Sequence, residues 1–181
     1  MKVELAAVAS SCAAAMLLLT AGAALAAGGF RLTSPAFSAG GTIPVRYTCD
    51  GRGSSPPLAW QGVPGGTRSL ALIVDDPDAP RGTFVHWVLY NLPVSTTHLG
   101  AGVDPKSGMP RFGVNSRGDA AYTGMCPPSG AHHYHFKLYA LDTRLPAQGH
   151  MTKAELLQAM QGHELGMAEL VGVYRRHKNS S

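Results

Sequence analysis

Four clusters carry chemistry into otherwise apolar, β-type runs: residues 75–80 (DDPDAP), His86-Trp87, residues 122–130 (YTGMCPPSG) and residues 131–135 (AHHYH). Ionisable side chains cost several kcal/mol to bury without partners, so a chain that keeps them beside its densest strands is holding them for a ligand. The aspartates of DDPDAP follow an apolar run directly and emerge where a proline-stiffened loop begins, which aims a carboxylate. An Asx turn, in which each aspartate caps its own backbone, is the competing use. A histidine such as His86, taken alone, is more often a satisfied rim or core residue, and the neighbouring clusters turn the reading toward a site. The YTGMCPPSG loop joins two prolines to short residues and predicts exposed backbone N–H groups with little side-chain bulk. Such N–H groups and imidazoles donate to phosphate oxygens, while Asp76 accepts from a ligand ammonium or hydroxyl or orients a histidine.

Strands must position these residues. Between Phe30 and Leu145, dense Gly and Pro separate short segments rich in Val, Leu, Tyr, Phe and Trp, an all-β rhythm. The clearest predicted strands are residues 69–74, 83–91 and 132–141, with residues 42–47 and 58–60 weaker. Alternation in the last strong strand puts His132, Tyr134, Phe136, Leu138 and Ala140 inward, and His133, His135, Lys137 and Tyr139 outward. The same rule gives Phe84, His86, Val88 and Tyr90 one face, so that His86 and His132 meet at one rim. Residues 101–115 read as a surface loop. Thr152 and Glu155 form a capping box ahead of Leu156, Leu157 and Met160, which starts one helix; residues 163–174 read either as a second helix or as a return to the sheet.

The chain has 181 residues, 45% hydrophobic and 14% charged, which suits a single compact domain. Its net charge of +4 comes from scattered basic residues, with one dense cluster at residues 175–178, so nucleic-acid binding gains little support. Lys2, the uncharged stretch at 5–25 and Ala24-Leu25-Ala26 read as an export signal, residues 1–26, ahead of a domain at 27–181. A retained anchor is the alternative, since the stretch reaches the roughly 20 residues that span a bilayer. Export places the domain in the periplasm or outside the cell, with no stable membrane span after cleavage. Cleavage removes Cys12 and leaves Cys49 and Cys126 in a compartment that permits disulfides. Their pairing is predicted, and closing a loop of about 77 residues stabilises by roughly 4 kcal/mol; two separate buried thiols are the alternative.

With these residues in place, the chain resembles the phosphatidylethanolamine-binding protein family, in its bacterial Raf-kinase-inhibitor-like branch. The likeness rests on D-P-D-x-P at residues 76–80, H-W at 86–87, and Y-x-G-x-x-P-P-x-G followed by H-x-Y at 122–134. S-P-x-L-x-W at 55–60 and the closing G-H-E-L…G-V-Y-R add to it. It implies a mainly β fold, two antiparallel sheets in a Greek-key sandwich with one or two peripheral helices near the C-terminus. It also implies a pocket for phosphate-like and phospholipid head-group anions. Carried over by position, the ligand-binding residues are Asp76, Asp78, His86, Pro127, Pro128, His132 and Tyr134, with Tyr122 and Gly124 shaping the loop. Two departures stand out: His133 occupies a position often held by Arg, and Met125 replaces a smaller or stiffer residue, which predicts a looser loop. The chain also ends without the C-terminal helix of the eukaryotic branch.

The expected role is a non-enzymatic binding module, without cofactor or metal, for a small phosphorylated or anionic ligand. An unidentified kinase or protease partner and a homodimer are further expectations. A metal-dependent enzyme is the rival, because His133-x-His135 has zinc-ligand spacing and His86, His132, Asp76 and Asp78 supply further donors. Alternation opposes it by sending His133 and His135 away from His132.

Overall fold

The computed structural model describes residues 29–108, 110–146 and 149–176. The export signal of residues 1–26 lies outside the described residues. Among the described residues eight strands and one α-helix follow in chain order: β1 (Arg31–Thr33), β2 (Leu58–Gln61), β3 (Ser69–Asp76), β4 (Phe84–Leu92), β5 (His98–Leu99), β6 (Arg111–Phe112), β7 (Ala131–Leu141), α1 (Lys153–Met160) and β8 (Glu164–Arg175). They build two antiparallel sheets, a small one in the order β1-β2-β5 and a large one in the order β6-β4-β3-β7-β8. Within the large sheet β7 returns to lie beside β3, with β4 and β6 on the other side, which is Greek-key order.

Strand periodicity divides the large sheet into two faces. On the inner face Leu70, Leu72 and Val74 of β3 and Phe136, Leu138 and Ala140 of β7 pack with Leu32, Leu58 and Trp60 of the small sheet. On the outer face Ala71, Ile73, Val88 and Tyr90 pack with Leu156 and Met160 of α1. Residues 163–174 therefore extend the sheet as β8 and form no second helix. The local reason is alternation, since Ala168, Leu170 and Tyr174 are buried while Glu169 and Arg175 are exposed. Helix α1 begins with the predicted capping box: the Glu155 amide donates to the Thr152 hydroxyl, and the Thr152 amide donates to the Glu155 carboxylate.

Residues 42–47 do not form the weak strand predicted for them. Only Thr42 makes an isolated bridge, to Val173, and Val45–Tyr47 is a 3-10 turn after Pro44. Proline lacks an N–H for a ladder, and the turn lets Tyr47 enter the core.

The predicted face of β4 is also corrected. Val74 pairs with Trp87 and Asp75 with Val85, so His86 is an extra residue, a β-bulge. The bulge reverses the phase of alternation. Phe84, His86, Trp87 and Leu89 turn to the inner side, while Val85, Val88 and Tyr90 face α1. A second irregularity sits at Asn91, whose φ of 56° is stabilised by two side-chain hydrogen bonds of 2.9 Å, one to the carbonyl and one from the amide of Leu145.

Candidate functional site

At the end of the large sheet, where β3 finishes and β4 and β7 begin, a cavity of about 150 Å³ opens. Its walls are Asp76, His86, His132, Phe84, Arg117 and Gly124, closed by Ala79, Pro80, Cys126 and Pro128. The ionisable groups come from three neighbouring strands because β3 places Asp76 on the inner face, the bulge turns His86 to that face, and alternation in β7 adds His132. All three are buried, at 4%, 3% and 6% exposure.

Asp76 is satisfied twice. Its Oδ1 accepts the Asp78 amide at 2.9 Å, and its Oδ2 accepts His132 Nδ1–H at 2.7 Å. The Asx turn and the histidine-orienting role, competing readings in the sequence, thus coexist in one carboxylate. A positive charge on His132 is compensated where it would form. His86 differs, because its Nδ1 lies 2.8 Å from the Thr123 carbonyl, which can only accept, so Nδ1 carries the hydrogen. Burial pushes the His86 imidazole below its ordinary range; the Thr123 carbonyl and the Asp76 charge oppose this, and Arg117 adds to it.

That shift has a consequence for stability. The unfolded chain takes up a proton on His86 near pH 6.5, whereas the folded chain takes it up only at lower pH. Proton binding therefore favours the unfolded state as pH falls through that value. Thermal melts roughly one unit either side of 6.5 are expected to give a lower midpoint on the acid side. His86→Gln should lose part of that difference, and an unchanged difference in the variant would assign it to other groups.

Tyr134 packs its ring against His86 at 5.3 Å between centroids and against His132 at 6.5 Å. Its hydroxyl is buried without a hydrogen-bond partner among the described residues. Burial, with the Asp76 charge second, drives its pKa upward, so it remains an O–H donor.

Other residues singled out in the sequence stand elsewhere. Asp78 is exposed and turns away from the cavity, accepting hydrogen bonds from the amide and Nδ1 of His133 at 2.8 and 2.7 Å. Those bonds hold its carboxyl below the ordinary range. Pro127 is buried and does not line the cavity, whereas Pro128 does. Tyr122 donates its hydroxyl to the Tyr47 carbonyl at 2.6 Å, which makes it a loop anchor. Gly124 both lines the cavity and permits close packing: a Cβ there would lie 2.9 Å from the Thr48 carbonyl carbon and 3.0 Å from the Cys49 nitrogen. Met125 does not loosen the loop. It is fully buried, and its carbonyl accepts the Cys49 amide at 3.0 Å.

Cys49 and Cys126 are joined in a disulfide with Cα atoms 5.4 Å apart, which ties the loop to residues 48–50. The histidines of the metal reading are dispersed: His132 pairs with Asp76, His133 with Asp78, and His135 with Glu169 at 2.8 Å. Among the described residues no three His, Cys, Asp or Glu side chains are grouped as a metal ion would need.

Phe84, Ala79, Pro80 and Arg117 line the cavity without having been singled out as ligand-binding in the sequence, and of these Arg117 is the charged one. It sits in the turn that Asn115 builds by accepting the amides of Arg117 and Asp119 on its side-chain oxygen. The signal available was the N-S-R-G-D run at 115–119, whose Asx-turn chemistry offers an arginine at a loop tip.

Compared with known proteins, the chain matches the family model described as phosphatidylethanolamine-binding protein over residues 33–175. The chain belongs to the phosphatidylethanolamine-binding protein family. A UPF0098 protein of Methanothermobacter thermautotrophicus is 51% identical over 148 residues, covering 80% of this chain and 98% of that protein. Among solved structures, a putative phosphatidylethanolamine-binding protein homologue of Chlamydia trachomatis aligns with a TM-score of 0.79 at 42% identity, over 82% of this chain and 99% of that one. E. coli YBCL, described as a member of the mammalian family, aligns with a TM-score of 0.75 at 33% identity, over 82% and 99%. The two sheets described above are thus the fold of this family.

Proposed function

We propose that this protein binds small oxyanions, phosphate or the phosphoryl part of a head group, outside the cytoplasm. The observation that carries the reading is the convergence of His86, the Asp76–His132 pair and Arg117 on one cavity of about 150 Å³. That volume suits a phosphoryl group and little more, and Arg117 supplies a permanent positive charge at the opening. The family's description, phosphatidylethanolamine-binding protein, adds support. Export is supported by the Cys49–Cys126 disulfide, a bond that persists in oxidising compartments, together with the leader-like pattern of residues 1–26.

Titration with inorganic phosphate and with phosphoethanolamine, followed by the side-chain NMR signals of His86 and His132, tests the proposal. Both imidazoles are expected to shift saturably. Unmoved signals at ligand concentrations on the order of millimolar would overturn it.

Tyr134→Phe provides a sharper check. A buried hydroxyl without a partner costs about 1–3 kcal/mol, so the ligand-free variant is expected to melt no lower than the parent. Phosphate affinity should fall roughly tenfold as one donor is lost. A lowered melting midpoint with unchanged affinity would make the hydroxyl structural and remove it from the site.

A further inference from the structure

A groove of about 380 Å³ lies where the start of β4 meets the start of α1, with apolar walls from Val85, Val114, Ala154 and Leu157. The polar side chains that complete it are already engaged. Ser116 Oγ accepts the Val85 amide at 2.8 Å, Asn115 Oδ1 accepts the amides of Arg117 and Asp119, and Asn115 Nδ2 donates to the Ala121 carbonyl. The Thr152 hydroxyl is closed in the capping box with Glu155, and Lys153 Nζ donates to the buried Asp75 carboxylate. Such a groove favours an aliphatic occupant over a polar one. It also shares a wall with the anion cavity. Along β4, Phe84 and His86 line the cavity while Val85 between them lines the groove, and in the 115–119 turn Ser116 lines the groove while Arg117 lines the cavity. The Ser116 amide donates to the Val85 carbonyl at 2.9 Å, so one strand start and one turn make the rim between the two recesses.

We infer that, on the oxyanion reading above, the ligand is an amphiphile: its phosphoryl group, monoester or diester, sits in the cavity, and an aliphatic chain passes over the rim beside Arg117 into the groove. The cavity of about 150 Å³ holds little beyond the phosphoryl group, so whatever is esterified to it leaves by the mouth. Arg117 holds the anion there by charge, and the residue before it in the turn, Ser116, already belongs to the groove. Lys153 fits the same picture, because its ammonium is held on Asp75 and its methylene stem is left to line the groove. The chain supplies affinity that so small a cavity lacks, about fourfold for each methylene fully removed from water.

Calorimetric titration of the intact protein with inorganic phosphate and with ethyl, hexyl and decyl phosphate, each below its micelle-forming concentration, tests the inference. Decyl phosphate is expected to bind at least about thirtyfold more tightly than ethyl phosphate, the gain from burying about three methylenes. In Ala154→Gln, which keeps a good helix former in the first turn and sets a polar amide in the groove, that ratio is expected to fall below about fivefold. The methyl NMR signals of Val114 and Leu157 should move with decyl phosphate and stay in place with ethyl phosphate, a readout that does not need the variant. Ethyl and decyl phosphate binding the parent within about threefold of each other would overturn the chain site, leave the oxyanion reading standing and return the groove to a protein partner. A full ratio kept in the folded variant, with those methyl signals unmoved, would place the chain elsewhere and overturn it as well. Binding of none of the four, inorganic phosphate included, would overturn both readings.

Discussion

Replacing Cys49 and Cys126 together by alanine is expected to lower stability by about 4 kcal/mol. The bond closes a loop spanning 77 positions and removes that much configurational freedom from the unfolded chain, so the loss falls mainly on the unfolded side of the equilibrium. For a domain of this size the melting midpoint should drop by roughly 8–16 °C. The cavity should survive at low temperature, because its loop has other ties. Thr123 N–H donates to the His86 carbonyl at 2.9 Å, His86 Nδ1–H donates back to Thr123, and Tyr122 holds the Tyr47 carbonyl. Thermal melts of the double variant and of the chemically reduced parent should coincide. A midpoint unchanged from the oxidised protein would show that the crosslink closes no loop that matters.

The largest effect on binding is expected from Asp76→Asn. The substitution keeps the shape but removes the charge that compensates a cation on His132, and the Asx-type bond to the Asp78 amide can be kept by the new side-chain oxygen. Charge-assisted hydrogen bonds contribute about 1.5–3 kcal/mol, so phosphate affinity should fall by roughly tenfold to a hundredfold. The melting midpoint should move by much less, since the carboxylate is exchanged for a group that still fills its place. Calorimetry with inorganic phosphate, beside a melt of the same sample, measures both. Affinity within about threefold of the parent would mean that His132 acts without its carboxylate.

The outer face of β3 gives a useful contrast. Asp75, one residue earlier, is just as buried, yet its carboxylate meets Lys137 Nζ at 3.2 Å and the Lys153 ammonium, and it packs over α1. Neighbouring aspartates on one strand point to opposite faces: Asp76 faces the cavity, and Asp75 bonds to lysines of β7 and α1.

Sequence alone determined the elements whose signal is local. The inward set from His132 to Ala140 followed from period-two alternation, the start of α1 from the spacing of Thr152 and Glu155, and the grouping of DDPDAP, H-W and H-x-Y from the family's own spacing. Tertiary structure decided what depends on a neighbour's register or on the path of a distant loop. The bulge at His86 exists only against the pairing of Val74 and Asp75, and it is what turns this imidazole and Trp87 to the same side. Asp78 left the cavity because His133, which reaches it only through the folded β3–β7 pairing, supplies two donors at the surface. Arg117 entered it because an Asx turn far along the chain ends beside the mouth. Such contacts join residues tens of positions apart, and no periodicity within either segment encodes where the other will lie.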